Sequence, residues 1–187
     1  MQDETFLYSA AMQDEIRIFV RELESELKHL VPINKLDPED IRRQQESGEG
    51  RYVAPVLSDH AIERQISFEA GDVSVRALIP EGQIDGVYMH IHGGGWVIGG
   101  AHHSDTELEE IRDNCNAAVI SVDYRLAPEN KYPSAQDDCE AVALWIIENA
   151  GREFGTDRIV IGGESAGAHL SATTMVRLRD KHGYSGF

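Results

Sequence analysis

Apolar residues in the first part of the chain recur at helical spacing. Between residues 10 and 30 they fall three or four positions apart and form a single stripe, made of Met12, Ile16, Phe19, Val20, Leu23, Leu27 and Leu30. This spacing predicts an amphipathic helix. A second, short helix is predicted from Asp37 onward, because Asp37 can cap it and Pro38 suits its first turn. Residues 1–50 are therefore predicted to form a helical segment that is separate from the rest.

From about residue 64 the pattern changes to strands and helices in alternation. Apolar positions alternate on both sides of Gly71-Asp72, which predicts a hairpin. Further apolar strands, each followed by a helix, are predicted at residues 87–92, 117–124 and 158–163. A capping box at residues 104–107 predicts the start of the first of these helices. This order predicts an α/β fold with a mostly parallel sheet, in a partial core domain at residues 55–187.

The charge balance of the chain is strongly acidic. It has 33 Asp and Glu residues against 17 Lys and Arg residues, a net charge of −16. Such a surface repels nucleic acid and anionic membranes, so neither is expected as a partner. No apolar run reaches the length of a membrane span, and the N-terminus lacks the pattern of a secretory signal. A cytoplasmic location is expected, and assembly into a homo-oligomer stays open.

The cysteines and histidines do not indicate a metal site. Cys115 and Cys139 both lie in predicted helices and form no CxxC pair, so buried, reduced thiols are expected. Histidines alternate along one predicted strand and are adjacent in one loop, but they form no cluster with a recognisable metal geometry. No metal and no cofactor is expected.

A serine flanked by glycines follows the last predicted strand. Residues 163–167 read GESAG, and they lie between the apolar run 159–161 and a predicted helix. This context is typical of a nucleophile elbow, the strained strand-to-helix turn that exposes a serine. The two glycines and Ala166 are the small residues that such a crowded turn needs. A plain glycine turn is the alternative, but the flanking elements favour Ser165 as a catalytic nucleophile.

A second glycine motif, HGGGW at residues 92–96, follows an earlier predicted strand. Consecutive glycines can fold tightly and direct backbone N–H groups inward. Acyl transfer needs two or three such donors where the carbonyl oxygen becomes negative. Gly93 and Gly94 are the candidate donors from this loop, and Ala166, which follows the nucleophile, is the third.

The two ends of the HGGGW motif carry ring side chains. His92 directly precedes the residues that would form the oxyanion hole, so a role as a brace of the loop is favoured over a role as a base. For Trp96, two interpretations stay open. Its ring lines the substrate pocket, or it packs under the loop.

Three motifs together identify a family. HGGGW at residues 92–96, DYRLAPE at 123–129 and GESAG at 163–167, in this order, resemble the hormone-sensitive-lipase family of α/β-hydrolase esterases over about residues 70 to 180. The resemblance implies an α/β-hydrolase fold and serine-dependent hydrolysis of carboxylic esters, usually with short acyl chains, without a cofactor. It also implies that the helices within residues 1–50 form part of a cap over the active site. The DYRLAPE segment is mainly structural in this family.

The chain departs from the family pattern in two respects. Glu164 stands where Asp is common, and Ala168-His169 stands where Gly-Asn is common, so the subfamily and the substrate stay open. The family orders its triad as Ser, then Asp or Glu, then His. After Ser165 the candidate bases are His169, one turn down the same helix, and His182, about 25 Å along it. Neither suits a triad, so the chain is interpreted as the N-terminal portion of a serine carboxylesterase, truncated after the elbow helix and inactive alone, with its acid and base beyond the last residue.

Two other functions stay open on the sequence. An amidase or formamidase would use the same machinery, because amides pass through the same kind of tetrahedral state. A non-catalytic receptor would reuse the fold, as the plant gibberellin receptors do. In those receptors the catalytic constellation is typically incomplete, so the intact Ser165 favours an enzyme. The site, rather than the fold, decides between these functions.

Overall fold

The computed structural model describes residues 9–68 and 71–186. They form two compact units that divide after Val53. The first unit consists of helix α1 (Ala10–Leu27), a short 3-10 turn (Ile33–Lys35) and helix α2 (Pro38–Ser47). Both helices predicted for this part of the chain are present.

Each helix of the first unit begins at a side-chain cap. The Ser9 hydroxyl accepts a hydrogen bond from the N–H of Met12 at 3.3 Å. Asp37 accepts one from the N–H of Glu39 at 3.0 Å, and Pro38 occupies the first position of α2. The predicted cap and proline of α2 are therefore confirmed.

The second unit alternates strands and helices, as predicted. Its elements are β1 (Ile62–Phe68), β2 (Gly71–Leu78), β3 (Gly86–Ile91), α3 (Asp105–Cys115), β4 (Ala117–Asp123), α4 (Ser134–Glu153), β5 (Ile159–Gly163) and α5 (Ala166–His182). Among the helices that the structure describes, none is both long enough and apolar enough to cross a membrane.

The sheet brings the two glycine motifs to the same edge. Its strand order is β1-β2-β4-β3-β5, with β3 parallel to both β4 and β5. The hairpin β1-β2 extends it in antiparallel fashion, with β2 also antiparallel to β4. Ile91, the last residue of β3, pairs with Gly163, the last residue of β5. The HGGGW loop and the GESAG turn therefore leave the sheet side by side.

The hairpin differs from its prediction in the position of its turn. Phe68 pairs with Gly71, so Gly71 and Asp72 lie inside β2 rather than in the connection. The connection consists of residues 69–70, which are outside the described residues. The alternating pattern still gave the correct pairing, because it marks which residues face the core and not where the chain turns.

The core lies around β3 and β4. Residues 117–122 of β4 are all buried, as expected for a strand with neighbours on both sides and helices over both faces. Cys139 on α4 belongs to this core, and burial raises the pKa of its thiol. Cys115, at the end of α3, is exposed. The prediction of two buried thiols is thus correct for Cys139 and wrong for Cys115.

Helix α3 does not begin with the predicted capping box. The Ser104 side chain makes no capping hydrogen bond. The next residue, Asp105, points inward with a fully buried side chain, where it forms an ion pair with Arg76 of β2. Arg76 donates from Nε to Oδ1 at 2.7 Å and from a terminal nitrogen to Oδ2 at 2.6 Å, and the Ser58 N–H donates to Oδ2 at 2.8 Å. Asp105, the second residue of the predicted box, therefore ties α3 to the sheet.

Asp105→Ala is expected to lower the free energy of unfolding by about 3–5 kcal/mol, because it leaves the guanidinium of Arg76 buried without its partner. Glu63→Gln is the matched control, since Glu63 contacts the same guanidinium at 3.4 Å from a position that is 84% exposed. The control is expected to change stability by less than about 0.5 kcal/mol. Urea denaturation measures the free energy of unfolding of both variants. Equal losses would show that the buried ion pair contributes no more to stability than the exposed contact with Glu63.

Candidate active site

The turn between β5 and α5 holds Ser165 in a strained conformation. Its backbone has φ 52° and ψ −115°, outside the regions that L-residues ordinarily adopt. Such a residue costs on the order of 1–3 kcal/mol, which the surrounding structure must offset. Ser165 is exposed, and α5 begins at the next residue. This is the geometry of a nucleophile elbow.

Both glycines of the GESAG motif are required by close contact with the end of β3. A Cβ atom on Gly163 would lie 2.0 Å from the carbonyl oxygen of Ile91, and one on Gly167 would lie 1.8 Å from the same atom. No Cβ can approach an oxygen so closely, so a side chain at either position would push the turn away from β3. Because Ile91 directly precedes the HGGGW motif, these contacts also hold the two motifs together.

The HGGGW loop turns sharply after β3. Gly94, Gly95 and Trp96 have φ angles of 106°, 62° and 63°, so three successive residues have positive φ. A Cβ atom on Gly94 would lie 2.0 Å from the carbonyl oxygen of Ile98. The N–H groups of Val97 and Ile98 both donate to the carbonyl oxygen of Gly94, at 3.1 and 3.0 Å. The loop therefore folds back on itself, and Gly94 tolerates no side chain.

The candidate oxyanion donors differ in whether their N–H groups are free. The Gly93 N–H donates to Oε1 of Glu164, so it is not available to a substrate while this bond persists. The N–H groups of Gly94, Gly95 and Ala166 have no hydrogen-bond partner within residues 9–68 and 71–186. The sequence predicted Gly93 and Gly94 as the donors of this loop and left out Gly95. Three consecutive glycines look alike in a sequence, and only the position of Glu164 distinguishes them.

His92 lies beneath the loop, with 2% of its surface exposed. Its Nδ1 donates to the carbonyl oxygen of Gly93 at 2.7 Å. Its ring stacks on Tyr124 at a centroid distance of 4.2 Å, and the Tyr124 hydroxyl donates to the His92 carbonyl oxygen at 2.9 Å. Burial lowers the pKa of His92 to about 4, so the ring is neutral at ordinary pH. These contacts agree with the interpretation of His92 as a brace.

The DYRLAPE segment, residues 123–129, supports the loop from another side. The Ala127 N–H donates to the carbonyl oxygen of Trp96 at 2.8 Å. Arg125 forms an ion pair with Asp138 of α4 at 2.7 Å, and its backbone N–H donates to the same carboxylate at 2.9 Å. The segment therefore links the HGGGW loop to α4, which agrees with the structural role that the resemblance implied.

Trp96 lies at a cavity of about 380 Å³, which Gly95, Tyr132, Gln136 and His169 also line. Its ring meets that of His169 edge-on, with the centroids 5.3 Å apart. The cavity begins one turn of α5 away from Ser165, because the His169 N–H donates to the Ser165 carbonyl oxygen at 3.2 Å. The Trp96 side chain is partly exposed at this cavity. Of the two interpretations of Trp96, pocket lining therefore agrees better with its position.

No histidine among the described residues is hydrogen-bonded to the Ser165 hydroxyl. The ring of His169 lies against Trp96. At the far end of α5, Nε2 of His182 lies 2.8 Å from Oε1 of Glu140. As expected from the sequence, neither of these histidines forms a triad with Ser165.

Comparison with known proteins agrees with this geometry. Residues 88–185 match the family described as alpha/beta hydrolase fold, which is more than half of the chain. The chain therefore belongs to the α/β-hydrolase fold family. The family match and the esterase relatives below also support the resemblance to the hormone-sensitive-lipase esterases.

The relatives with curated descriptions are esterases. The chain is 40% identical over 119 residues to an arylesterase of Saccharolobus solfataricus, which covers 62% of this chain and 39% of the arylesterase. It is 40% identical over 126 residues to the carboxylesterase NlhH of Mycobacterium tuberculosis, with 65% and 39% covered. A solved esterase of Pyrobaculum calidifontis has a TM-score of 0.74 at 28% identity, with 88% of this chain and 54% of that one covered. The matches thus span about two fifths of the curated relatives and about half of the solved esterase.

The pH dependence of stability is expected to report the buried, neutral His92. Its pKa is 6.5 in its ordinary state and about 4 in the folded protein, so the unfolded chain binds more protons between these values. Stability is therefore full above pH 6.5 and falls as the pH is lowered towards 4, by up to about 3 kcal/mol from this group. Urea denaturation at a series of pH values measures the effect.

His92→Gln is expected to remove this contribution, so that its difference from the wild type shrinks as the pH falls. His29→Gln, which changes an exposed histidine of the first unit, is the control and should leave the pH profile as it is. Parallel profiles for the wild type and His92→Gln would contradict the neutral, buried state of His92.

Proposed function

We propose that the protein is a serine carboxylesterase that hydrolyses short-chain acyl esters through an acyl-enzyme. The observation that carries the proposal is the exposed Ser165 on a strained elbow, beside a glycine loop with unpaired N–H groups. The names of the relatives support esters as the substrate class over the amidase and receptor alternatives. The proposed substrate is a small molecule, and the mechanism uses no metal or cofactor.

In the proposed mechanism, Oγ of Ser165 attacks the carbonyl carbon of the ester. A general base takes the hydroxyl proton and later gives it to the departing alcohol, and water then hydrolyses the acyl-enzyme. The N–H groups of Gly94, Gly95 and Ala166 are proposed to stabilise the negative charge on the carbonyl oxygen, since none of the three has a partner within the described part of the chain. Gly93 is proposed to support the loop through Glu164 instead.

The cavity beside Trp96 is proposed to take one of the two organic groups of the ester. Its volume of about 380 Å³ is at the small end of ligand pockets. Trp96, Tyr132 and His169 give it ring-lined walls, with Gln136 as a polar group. A short acyl or alcohol group suits such a space better than a long lipid chain.

The general base and its acid partner are proposed to come from sequence outside these 187 residues. This is supported by the absence of a histidine on the Ser165 hydroxyl within the described chain, and by the partial coverage of the relatives. The role of residues 1–50 as part of a cap, the core domain at 55–187, the cytoplasmic location and the oligomeric state stay predictions.

Ser165→Ala is expected to reduce hydrolysis of p-nitrophenyl acetate by several orders of magnitude without loss of folding, because no other group replaces the nucleophile. The test uses the esterase that contains this chain together with its general base. Ser47→Ala, an exposed serine of α2, is the control and should keep full activity. A fluorophosphonate should label Ser165, as located by mass spectrometry. Labelling of another serine, with activity retained in Ser165→Ala, would overturn the proposal.

The 187-residue chain by itself is expected to hydrolyse the same ester at less than about a hundredth of the rate of the longer esterase, since general base catalysis contributes about 10²–10⁴. A side-by-side assay at equal concentrations measures this ratio. Equal rates would place the base among the residues described above and would require a different mechanism.

A further inference from the structure

A hydrogen-bonded chain connects the interior of the sheet with the HGGGW loop. His90 of β3, which is 4% exposed, lies in the middle of this chain. Nδ1 of His90 lies 2.9 Å from the Ser121 hydroxyl of β4, and Nε2 lies 3.0 Å from Oε2 of Glu164. The other carboxylate oxygen, Oε1, accepts the N–H of Gly93. At the far end, the Ser121 hydroxyl donates to the carbonyl oxygen of Ala101 at 3.1 Å.

His90 is held on both sides of its ring. The Ser121 hydroxyl lies beside Nδ1 and also reaches the Ala101 carbonyl oxygen, so it fixes the ring from the side of β4. On the other side, Nε2 lies against the Glu164 side chain. The ring therefore connects β4 to the elbow.

Glu164 accepts in both of its contacts. Burial acts to raise the pKa of the Glu164 carboxyl group, but the hydrogen bonds from His90 and from the Gly93 N–H outweigh it and hold the pKa below its ordinary value. Glu164 is therefore a carboxylate at ordinary pH. A carboxylate can only accept, so Nε2 of His90 donates to it.

The pair cannot supply the missing general base. Both ring nitrogens of His90 are occupied, one by Ser121 and one by Glu164, so neither can accept the proton of Ser165. The location of Glu164 suggests a different role. It directly precedes Ser165 in the elbow, while its side chain holds the first glycine of the HGGGW motif. One residue thus connects the nucleophile to the loop that faces it.

The HGGGW loop needs such a connection because glycines are conformationally free. Fixing the Gly93 N–H fixes the peptide plane between His92 and Gly93, one residue before the N–H of Gly94, which has no partner among the described residues. The backbone is also close here, since a Cβ atom on Gly93 would lie 3.0 Å from the carbonyl oxygen of Glu164. A displacement of about 1 Å in a group that acts on the transition state can cost about a hundredfold in rate.

We propose that His90 and Glu164 are positioning residues of the oxyanion hole. The ring of His90 orients the Glu164 carboxylate, the carboxylate holds the Gly93 N–H, and the loop then presents the N–H groups of Gly94 and Gly95, which have no partner among the described residues. The inference rests on the proposed esterase function. Its effect is on the transition state, so kcat is expected to change more than KM.

Variants of Glu164 test the kinetic part in the active esterase. Glu164→Ala removes both contacts and is expected to lower kcat about a hundredfold, with KM changing less than about threefold. Glu164→Gln is the conservative variant, because its carbonyl oxygen can accept from Gly93 and its amide can donate to a neutral His90. It is expected to recover kcat to within about tenfold of the wild type. Asp180→Asn, an exposed carboxylate paired with Arg179, is the control and should change neither constant.

The nitrogen resonances of His90, measured by ¹⁵N NMR at pH 8, test the contact with Glu164 without any catalysis. In the wild type Nε2 is expected to carry a proton, because it donates to the Glu164 carboxylate. In Glu164→Gln the ring proton is expected on Nδ1, because the amide then donates to Nε2. This measurement remains informative if Glu164→Ala fails to fold. A wild type whose Nε2 carries no proton would overturn the proposal.

The kinetic outcomes separate this inference from the proposed function. If Ser165→Ala abolishes hydrolysis while Glu164→Ala keeps the kcat of the wild type, the esterase function stands and the positioning role is wrong. If Glu164→Ala and Glu164→Gln lose kcat equally, the hydrogen bonds are not what positions the loop, and the inference is also overturned. Hydrolysis that survives in the Ser165→Ala variant would instead contradict the esterase function itself.

Discussion

The arrangement of the site depends on one close contact, that of the carbonyl oxygen of Ile91 with the backbone of Gly163 and Gly167. Parallel pairing of β3 and β5 brings the ends of the two strands level, but pairing alone leaves room for side chains between the loops that follow. Two glycines remove that space. Gly163 and Gly167, which lie on either side of Ser165 in the turn, both contact the end of β3. These contacts hold the backbone of Ser165 in its strained conformation. Strain at the nucleophile and closeness of the loop thus have the same origin.

Around this contact, the polar groups act as supports of the loop and leave few donors free. His92, Tyr124 and Ala127 all bond to carbonyl oxygens within residues 92–96, so they hold the loop by its acceptors. Glu164 is the one side chain, among the residues described, that is bonded to an N–H of the three glycines. The N–H groups of Gly94 and Gly95 have no partner in residues 9–68 and 71–186, which is the condition for an anion-binding site. The hydrogen bonds that support the loop therefore mainly use its carbonyl oxygens and leave the N–H groups of Gly94 and Gly95 available.

Much of this fold could be predicted from the sequence because its signals are local. The stripe of α1, the cap of α2, and the alternation of short strands with helices each depend on residues close together in the chain. The predicted capping box of α3 was wrong, because the Ser104 side chain makes no capping hydrogen bond. The next residue, Asp105, pairs with Arg76, 29 residues earlier, and no local pattern reveals such a contact. The predicted position of the hairpin turn was wrong because alternation does not reveal where the pairing of two strands begins.

The same distinction applies to the site. The motifs identified Ser165 and the glycine loop, since each motif is a local geometric requirement. Which glycine is engaged, and that His90 takes part at all, depend on pairing between residues 71 and 74 positions apart. One signal was present in the sequence: His90 is a polar residue in an otherwise apolar strand, followed two positions later by another histidine on the same face. A buried polar residue implies a partner, but only the register of β3 against β5 identifies Glu164.

The position of Trp96 has a practical consequence. The chain has two tryptophans, and the other, Trp145, packs against the core from α4. Trp96 is partly exposed at the cavity and meets the ring of His169 edge-on, with the centroids 5.3 Å apart. Indole emission depends on solvent contact. The protein therefore contains its own fluorescent reporter: Trp145→Phe would leave Trp96 as the single tryptophan, and its spectrum would follow the entry of a molecule into the cavity without any attached dye.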